Sequence, residues 1–270
     1  MSETDIHLDM PEAEYRKANG INASSLKKML LSPAHFKYAQ EEEETDKRNA
    51  NLIVGTLVHK SRLEPEKLCY AVRPKEFKDW RTKESQAWRD AQTLPVVTPD
   101  EEEQVKRCAD ALFSIDLLSE LAARGNTEVT AFKRHERTGL LMKGRADLLS
   151  VDDDGNTWVI DIKTVPEEGA SSNQFSRKIA EMNYHLQAAF YCDLFGTNNF
   201  MFVAVEKSGF TGVGVYILDK EDIELGRRTN EALIQKLALC RKENKWPGYP
   251  TKPTTINLPQ WKRKQEMGDI

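Results

Sequence analysis

Hydrophobic and polar positions follow a helical period through the first half of the chain. An apolar stripe runs through residues 22–36, where Asn22 or Ser24 can cap the start of a helix. Apolar positions between 52 and 63 predict a second helix, which carries His59 beside its apolar face. A long helix is predicted over 99–125, because a proline and acidic residues begin it and a glycine ends it.

The stretches around these helices have weaker patterns. Residues 1–20 form a polar lead-in, 41–49 an acidic-to-basic loop, and 69–100 an irregular segment with three prolines.

Beyond residue 126 the period becomes alternating, which indicates β-strands. Strands are predicted over 127–135, 140–151 and 157–165, and the Asp-rich segment 152–156 forms the turn of a hairpin between the last two.

A second group of elements follows this hairpin. The predictions are one amphipathic helix over 177–196, strands over 199–207 and 212–219, and a long helix over 220–244.

The order of elements predicts an α/β (mixed α+β) class, with a central mixed sheet flanked by helices. We expect an N-terminal helical part over 1–126, a core over 127–245 and an irregular Pro-rich tail over 246–270.

Composition narrows the functional classes. The chain has 270 residues and a net charge of −4, whereas proteins that coat nucleic acid are usually basic. The polar, acidic N-terminus does not resemble a secretory signal, and no apolar run approaches the ~20 residues that span a bilayer. We therefore expect a cytoplasmic protein without a membrane partner, whose four scattered cysteines are reduced.

Asp147, Asp161 and Lys163 are the candidate chemical residues, and all three lie in the predicted hairpin. Asp161 and Lys163 share one face of their strand, while Ile160 and Ile162 take the other and enter the core. Paired carboxylates repel unless a cation lies between them, and Mg²⁺ prefers oxygen ligands. A nearby lysine suits metal-assisted phosphodiester hydrolysis. Spacing alone leaves a structural ion cluster equally open.

Several segments resemble one nuclease superfamily. The segment "GRADLLSVDDDGNTWVIDIKT" resembles the D-x(n)-D-x-K signature of PD-(D/E)xK nucleases, which have a restriction-endonuclease-like core. The segments "HLQAAFY" and "GTLVHK" resemble the Q-x-x-x-Y and G-x-x-x-H elements of its RecB-like branch. The opening "NASSLKKMLLSPAHFKYA" and the closing "WPGY" are similar to the RecE-type exonucleases (exodeoxyribonuclease VIII), so that the resemblance covers nearly the whole chain.

The resemblance implies roles for individual residues. Asp147 and Asp161 would bind metal with the backbone carbonyl of Ile162, and Lys163 would be the catalytic lysine. His59 would be a further metal ligand, although a lone histidine at a helix end is often structural.

The resemblance places Gln187 and Tyr191 on one helical face at the active site. Tyr184 and His185 flank that face and are candidates for positioning it.

Four further residues keep two interpretations each. Glu128 is a candidate ligand for a second metal or a solvated strand charge. Arg145 contacts a phosphate or pairs with an acid. Arg177 and Lys178 are candidate phosphate ligands or solvated charges.

The resemblance also implies the activity. It predicts a 5′-to-3′ exonuclease that uses Mg²⁺, or Mn²⁺ in its place, on the ends of linear double-stranded DNA. The 3′ tails would pass to a RecT-like single-strand annealing protein, and the enzyme would form a ring of three or four subunits, phage- or bacterium-encoded. An endonuclease, a nuclease subunit of a repair or defence complex, and a non-catalytic DNA-binding module remain alternatives.

Two cofactors are not expected. The cysteines lack the clustered C-terminal pattern of iron–sulfur nucleases of this branch. No GxxxxGK[ST] motif is present, so no ATP requirement is predicted.

Overall fold

The computed structural model describes residues 4–42 and 50–267, and its centre is a six-stranded mixed sheet. The strand order is β1-β4-β5-β6-β7-β8, and β2 and β3 form a separate parallel pair. The strands are β1 (Asp5–His7), β2 (Ala71–Val72), β3 (Val96–Val97), β4 (Asn126–Arg134), β5 (Leu141–Val151), β6 (Thr157–Val165), β7 (Asn199–Glu206) and β8 (Val213–Ile217).

Helices cover both faces of this sheet, so the predicted class of a mixed sheet flanked by helices is confirmed. In chain order they are α1 (Glu12–Lys17), α2 (Ala23–Lys27), α3 (Pro33–Glu42), α4 (Ala50–Leu63), α5 (Lys83–Asp90), α6 (Pro99–Phe113), α7 (Asp116–Ala123), α8 (Ser172–Met182), α9 (Tyr184–Phe195), α10 (Lys220–Glu243) and α11 (Gln260–Met267). No helix in the described ranges is both long and apolar enough to cross a membrane.

The predicted hairpin of β5 and β6 is confirmed, with Leu148 paired to Ile160. Strand β6 pairs on its other edge with β7, in parallel, because α8 and α9 return the chain to the same end of the sheet. The apolar positions of β6 are buried on both faces of the sheet, as is usual for a central strand.

Alternate residues of β6 face opposite sides of the sheet. Ile160 and Ile162 are fully buried in a cluster with α4, α6 and α7. Asp161 and Lys163 point to the opposite face, where α9 lies between the sheet and α10. The predicted division of faces on this strand is therefore confirmed.

Two predicted single helices are each broken in the structure. The helix predicted over 99–125 ends at Phe113. The Ser114 hydroxyl donates to the carbonyl of Ala111, and Ile115 has an extended backbone. The helix predicted over 177–196 is interrupted at Asn183, which adopts a left-handed conformation with φ of 52°. Asparagine tolerates this conformation better than most residues, so that α8 and α9 can differ in direction.

Three segments predicted to be irregular are more ordered than expected. The polar lead-in contributes β1, which pairs with β4, and the short helix α1. Residues 69–100 contain β2, α5 and β3, whose polar composition concealed them. The described part of the tail contains α11. Of the predicted loop over 41–49, residues 41 and 42 belong to α3, and 43–49 lie outside the described residues.

Candidate active site

The two predicted metal-binding carboxylates lie where β5 and β6 separate. The paired ladder between these strands ends at Leu148 and Ile160, and continuing its register by one residue sets Asp147 opposite Asp161. In place of a backbone carbonyl, Asp147 Oδ2 accepts the hydrogen bond of the Ile162 N–H at 2.7 Å. The N–H and C=O of one strand residue point the same way. The Ile162 carbonyl therefore also faces this gap.

His59 reaches Asp147 from helix α4. Its Nδ1 lies 3.2 Å from Asp147 Oδ2. Gly55 is one turn earlier and faces β6, where an added Cβ would make an ordinary van der Waals contact with Thr164 Oγ1 at 3.4 Å. The packing therefore leaves room for a Cβ at Gly55, one turn before His59.

The histidine and the carboxylate stabilise each other's charge. Burial lowers the pKa of His59, but the charge and hydrogen bond of Asp147 outweigh it, so the pKa lies above its usual value. Burial likewise raises the pKa of Asp147, but His59, Lys163 and the Ile162 N–H together hold it below its usual value. Asp147 is therefore ionised at neutral pH.

Asp161 is held from two sides. Gln187 Nε2 donates to its Oδ1 at 2.7 Å, and Lys163 Nζ forms an ion pair with its Oδ2 at 2.6 Å. Oδ2 is buried, and no described group makes a hydrogen bond of acceptable geometry to it. Burial raises the pKa of Asp161, and the charge of Asp147 acts in the same direction. An additional cation at this oxygen would relieve both effects.

Lys163 is a buried cation at the same point. Burial lowers its pKa, but the charges of Asp161 and Asp147 outweigh burial and raise it above its usual value. Its ammonium also lies 4.9 Å from the centre of the Tyr184 ring. Lys163 is therefore protonated at neutral pH and can act as a hydrogen-bond donor and a positive charge.

Tyr191 packs against β5 one turn after Gln187. Its ring lies against Gly144, where a Cβ would come within 2.9 Å of Tyr191 Cε1 and 2.6 Å of Leu194 Cδ2. Burial raises the pKa of Tyr191 well above its usual value, and the charges of Asp161 and Asp147 add to this shift. The hydroxyl therefore stays protonated. Gln187 contacts Asp161 directly, whereas Tyr191 lies close enough to both carboxylates for their charges to act on its hydroxyl.

Glu128 and Arg145 form a pair at the edge of the site. Arg145 Nε donates to Glu128 Oε2 at 2.5 Å. Glu128 has a positive φ of 53°, which interrupts the pairing of β4 with β5 next to Asp147 and directs its side chain into the cleft. Arg145 pairs with an acid in this structure, while its buried Nη1 has no hydrogen-bond partner among the described residues.

A cleft of about 640 Å³ is lined by His59, Glu128, Arg145, Asp147, Ile162 and Lys163, among others. Asp161 and Gln187, which are bonded to each other, and Tyr191 are not among its lining residues. A second cleft of about 650 Å³ lies between the end of the β4–β5 hairpin, α9 and α10, but it contains none of the carboxylate–lysine set. The cleft at the separated strands is therefore the candidate active site.

Sequence reasoning missed some residues of this cleft. Tyr15 and Glu12 of α1 line it, although their segment was predicted to be a polar lead-in. Tyr15 stacks under the Lys143 ammonium at 4.9 Å. The sequence signal for this helix is Tyr15, an aromatic residue within a polar stretch.

Other predicted residues lie apart from the carboxylates. His185 is not among the residues that line the cleft, and burial lowers its pKa. Lys178 pairs with Glu181 at 3.3 Å, and Arg177 does not line the cleft.

The donor set fits a divalent metal with few protein ligands. Across residues 4–42 and 50–267, no three His, Cys, Asp or Glu side chains converge closely enough to hold a metal ion. Mg²⁺ often takes only one or two carboxylates and keeps several waters. Asp147, the Ile162 carbonyl and Asp161 Oδ2, which is paired with Lys163, meet that requirement. The part of His59 and Glu128 as ligands stays a prediction.

The model of the PDDEXK-like domain of unknown function (DUF3799) matches the chain over residues 22–257. The chain matches no curated protein. The family match spans α2 to the tail and includes every predicted site residue.

Comparison with solved structures supports the same fold. A protein from Eubacterium rectale described as a candidate exonuclease superposes with a TM-score of 0.62 and 12% identity, covering 94% of this chain and 96% of its own. SSO0001 gives a TM-score of 0.29 at 20% identity, covering 50% of this chain and 68% of its own. Rai1 from Scheffersomyces stipitis gives 0.30 at 15% identity, covering 88% and 74%. The last two scores are too low to support a shared fold.

The family and the fold together support a nuclease, and they are consistent with the resemblance to RecE-type exonucleases. The predicted restriction-endonuclease-like core is confirmed. The chain therefore belongs to the PDDEXK-like domain family.

Proposed function

We propose that this protein is a Mg²⁺-dependent exonuclease that degrades the 5′-ended strand of linear double-stranded DNA and leaves 3′ single-stranded tails. Mn²⁺ would substitute for Mg²⁺. One observation carries the catalytic part: Asp147 and Asp161 oppose each other where two strands separate, with the ammonium of Lys163 on Asp161.

Asp147, Asp161 and the Ile162 carbonyl would hold the metal. When bound, Mg²⁺ supplies Lewis-acid stabilisation of the charge that develops on the phosphate. Gln187 keeps the Asp161 carboxylate in one orientation through its hydrogen bond.

Lys163 orients the attacking water and stabilises negative charge on the phosphate. Because its pKa is raised, it does so as a cation and not as a general base. Water attacks phosphorus and gives up a proton to solvent, the bond from phosphorus to the 3′ oxygen breaks, and that oxygen takes up a proton from solvent. The products therefore carry 5′-phosphates and 3′-hydroxyls.

The proposals on substrate, oligomeric state and partner rest on the resemblance to RecE-type exonucleases. We propose that the substrate is a DNA end, that the enzyme acts as a homo-oligomeric ring, and that a strand-annealing protein receives the tails. A ring would let a chain with a net charge of −4 retain DNA by enclosing it.

The test uses linear duplex DNA labelled at the 5′ or the 3′ end, with covalently closed circles in parallel. The proposal predicts Mg²⁺-dependent release of the 5′ label as mononucleotides, with the circles intact. Cleavage of the circles would indicate an endonuclease, and release of the 3′ label first would reverse the polarity. Light scattering on the same sample should give a multiple of the monomer mass, and a monomer would exclude the ring.

A further inference from the structure

Lys27 lies beside Tyr184, a residue that lines the candidate active site, and the proposed mechanism does not use it. It is the last residue of α2, whose start is fixed by a capping box between Asn22 and Ser25. Its Nζ donates to the carbonyl of Met182 at 3.2 Å and lies 5.5 Å from the centre of the Tyr184 ring.

The same tyrosine ring contacts the catalytic lysine. Lys163 Nζ lies 4.9 Å from the centre of the Tyr184 ring, so two ammonium groups meet one aromatic side chain. Lys163 has Asp161 as its ion-pair partner. Within the described ranges, no carboxylate lies within ion-pair distance of Lys27.

The electrostatics around Lys27 favour a further anion beside it. Burial lowers the pKa of Lys27, the charge of Lys163 lowers it further, and Asp161 opposes the shift. A partly buried pair of like charges is unfavourable unless an opposite charge joins it. A phosphate oxyanion would offset that repulsion and could accept hydrogen bonds from the ammonium of Lys27.

We propose that Lys27 binds a backbone phosphate of the DNA strand beside the phosphate that reacts. This inference rests on the proposed function, because it requires DNA in the cleft. The DNA strand would then run from the carboxylates of Asp147 and Asp161, past Tyr184, to Lys27 at the end of α2.

A purely structural role makes a different prediction. Met182 ends α8, and a lysine that donates to its carbonyl also stabilises that helix end. In that case substitution would lower thermal stability and leave the dependence of DNA binding on salt unchanged.

The experiment compares Lys27→Met, which keeps the aliphatic part of the side chain, with Lys27→Arg, which keeps the charge. The matched control is Lys28→Met, because Lys28 is the next residue and its side chain is exposed. Binding of a fluorescent blunt-ended duplex would be measured by anisotropy at several salt concentrations, with Ca²⁺ replacing Mg²⁺. Values of kcat/KM and unfolding temperatures would be measured on the same four proteins.

Loss of one phosphate contact should make the slope of log K against log salt shallower by about one. We expect this change in Lys27→Met, with kcat/KM about tenfold lower, while Lys27→Arg and Lys28→Met stay close to the unsubstituted protein. Equal slopes for Lys27→Met and Lys28→Met would overturn the proposal, whether or not the unfolding temperature falls. If the unsubstituted protein neither binds nor cuts DNA, the proposed function fails first, and this inference fails with it.

Discussion

Gln187 Nε2 donates a 2.7 Å hydrogen bond to Asp161 Oδ1, which joins helix α9 to the central strand β6. This contact occupies Oδ1 and leaves the buried Oδ2 to the ion pair with Lys163. Helix α9 can place Gln187 there because the chain turns at Asn183 before the helix begins. The orientation of a reactive carboxylate thus depends on a residue 26 positions away along the chain.

Substitution Gln187→Ala should lower kcat/KM without unfolding the protein. A hydrogen bond to a charged group contributes about 1.5–3 kcal/mol, which corresponds to roughly a tenfold to hundredfold loss. The matched control is Gln235→Ala, because Gln235 is an exposed helix residue whose side chain donates to Glu231, away from the site. Equal activity of the two variants on linear duplex DNA would show that Gln187 does not position Asp161.

Gly144 should tolerate no side chain, whereas Gly55 should accept one. A Cβ at Gly144 would overlap Leu194 and Tyr191, and overpacking of this kind costs about 1–3 kcal/mol. At Gly55 the nearest atom is Thr164 Oγ1 at 3.4 Å, and alanine favours a helix over glycine by about 1 kcal/mol. Urea unfolding measures the free energy of unfolding of the Gly144→Ala and Gly55→Ala proteins. A Gly55→Ala protein less stable than Gly144→Ala would contradict this packing.

The His59–Asp147 pair predicts a pH dependence of stability in the metal-free protein. The pKa of His59 is raised in the folded state, so its contribution is complete below the unfolded pKa of about 6.5 and is lost as pH rises through the folded pKa. Unfolding free energy in EDTA should therefore fall as pH rises above about 6.5. His59→Gln should lack this fall, and His185→Gln should keep it. An identical fall in all three proteins would exclude His59 as its source.

The Glu128–Arg145 pair should contribute more to the free energy of unfolding than a surface ion pair does. The two side chains are 20% and 12% exposed, and removing one partner of a buried pair costs about 3–5 kcal/mol. Glu128→Ala should approach that loss, while the double variant with Arg145→Ala should recover part of it. A double-mutant cycle measures the coupling, and a coupling energy near zero would mean that the pair is structurally neutral.

Much of this site could be predicted because its signals are local. Alternation in "TWVIDIKTV" places Asp161 and Lys163 on one face, and the short turn after β5 fixes a register in which Asp147 opposes Asp161. The spacing of four between Gln187 and Tyr191 gives their common helical face. Each of these inferences needs only the period of a strand or a helix.

The residues that were missed depend on contacts across the chain. Lys27 meets Met182 across 155 positions, and Lys143 reaches the carbonyl of Tyr15 across 128. No period in the sequence brings such pairs together. The break at Asn183 had a local signal, a residue that tolerates positive φ, but the surrounding amphipathic pattern favoured one continuous helix.

The most direct test of the account is hydrolysis of linear duplex DNA by the purified protein with Mg²⁺, compared with Asp161→Asn and Lys163→Met. Asp154→Asn is the control, because Asp154 is exposed in the turn of the same hairpin. The account predicts that Mg²⁺-dependent hydrolysis falls by about a hundredfold or more in the two site variants and is unchanged in the control. Hydrolysis by Asp161→Asn and Lys163→Met at the rate of the unsubstituted protein would contradict it.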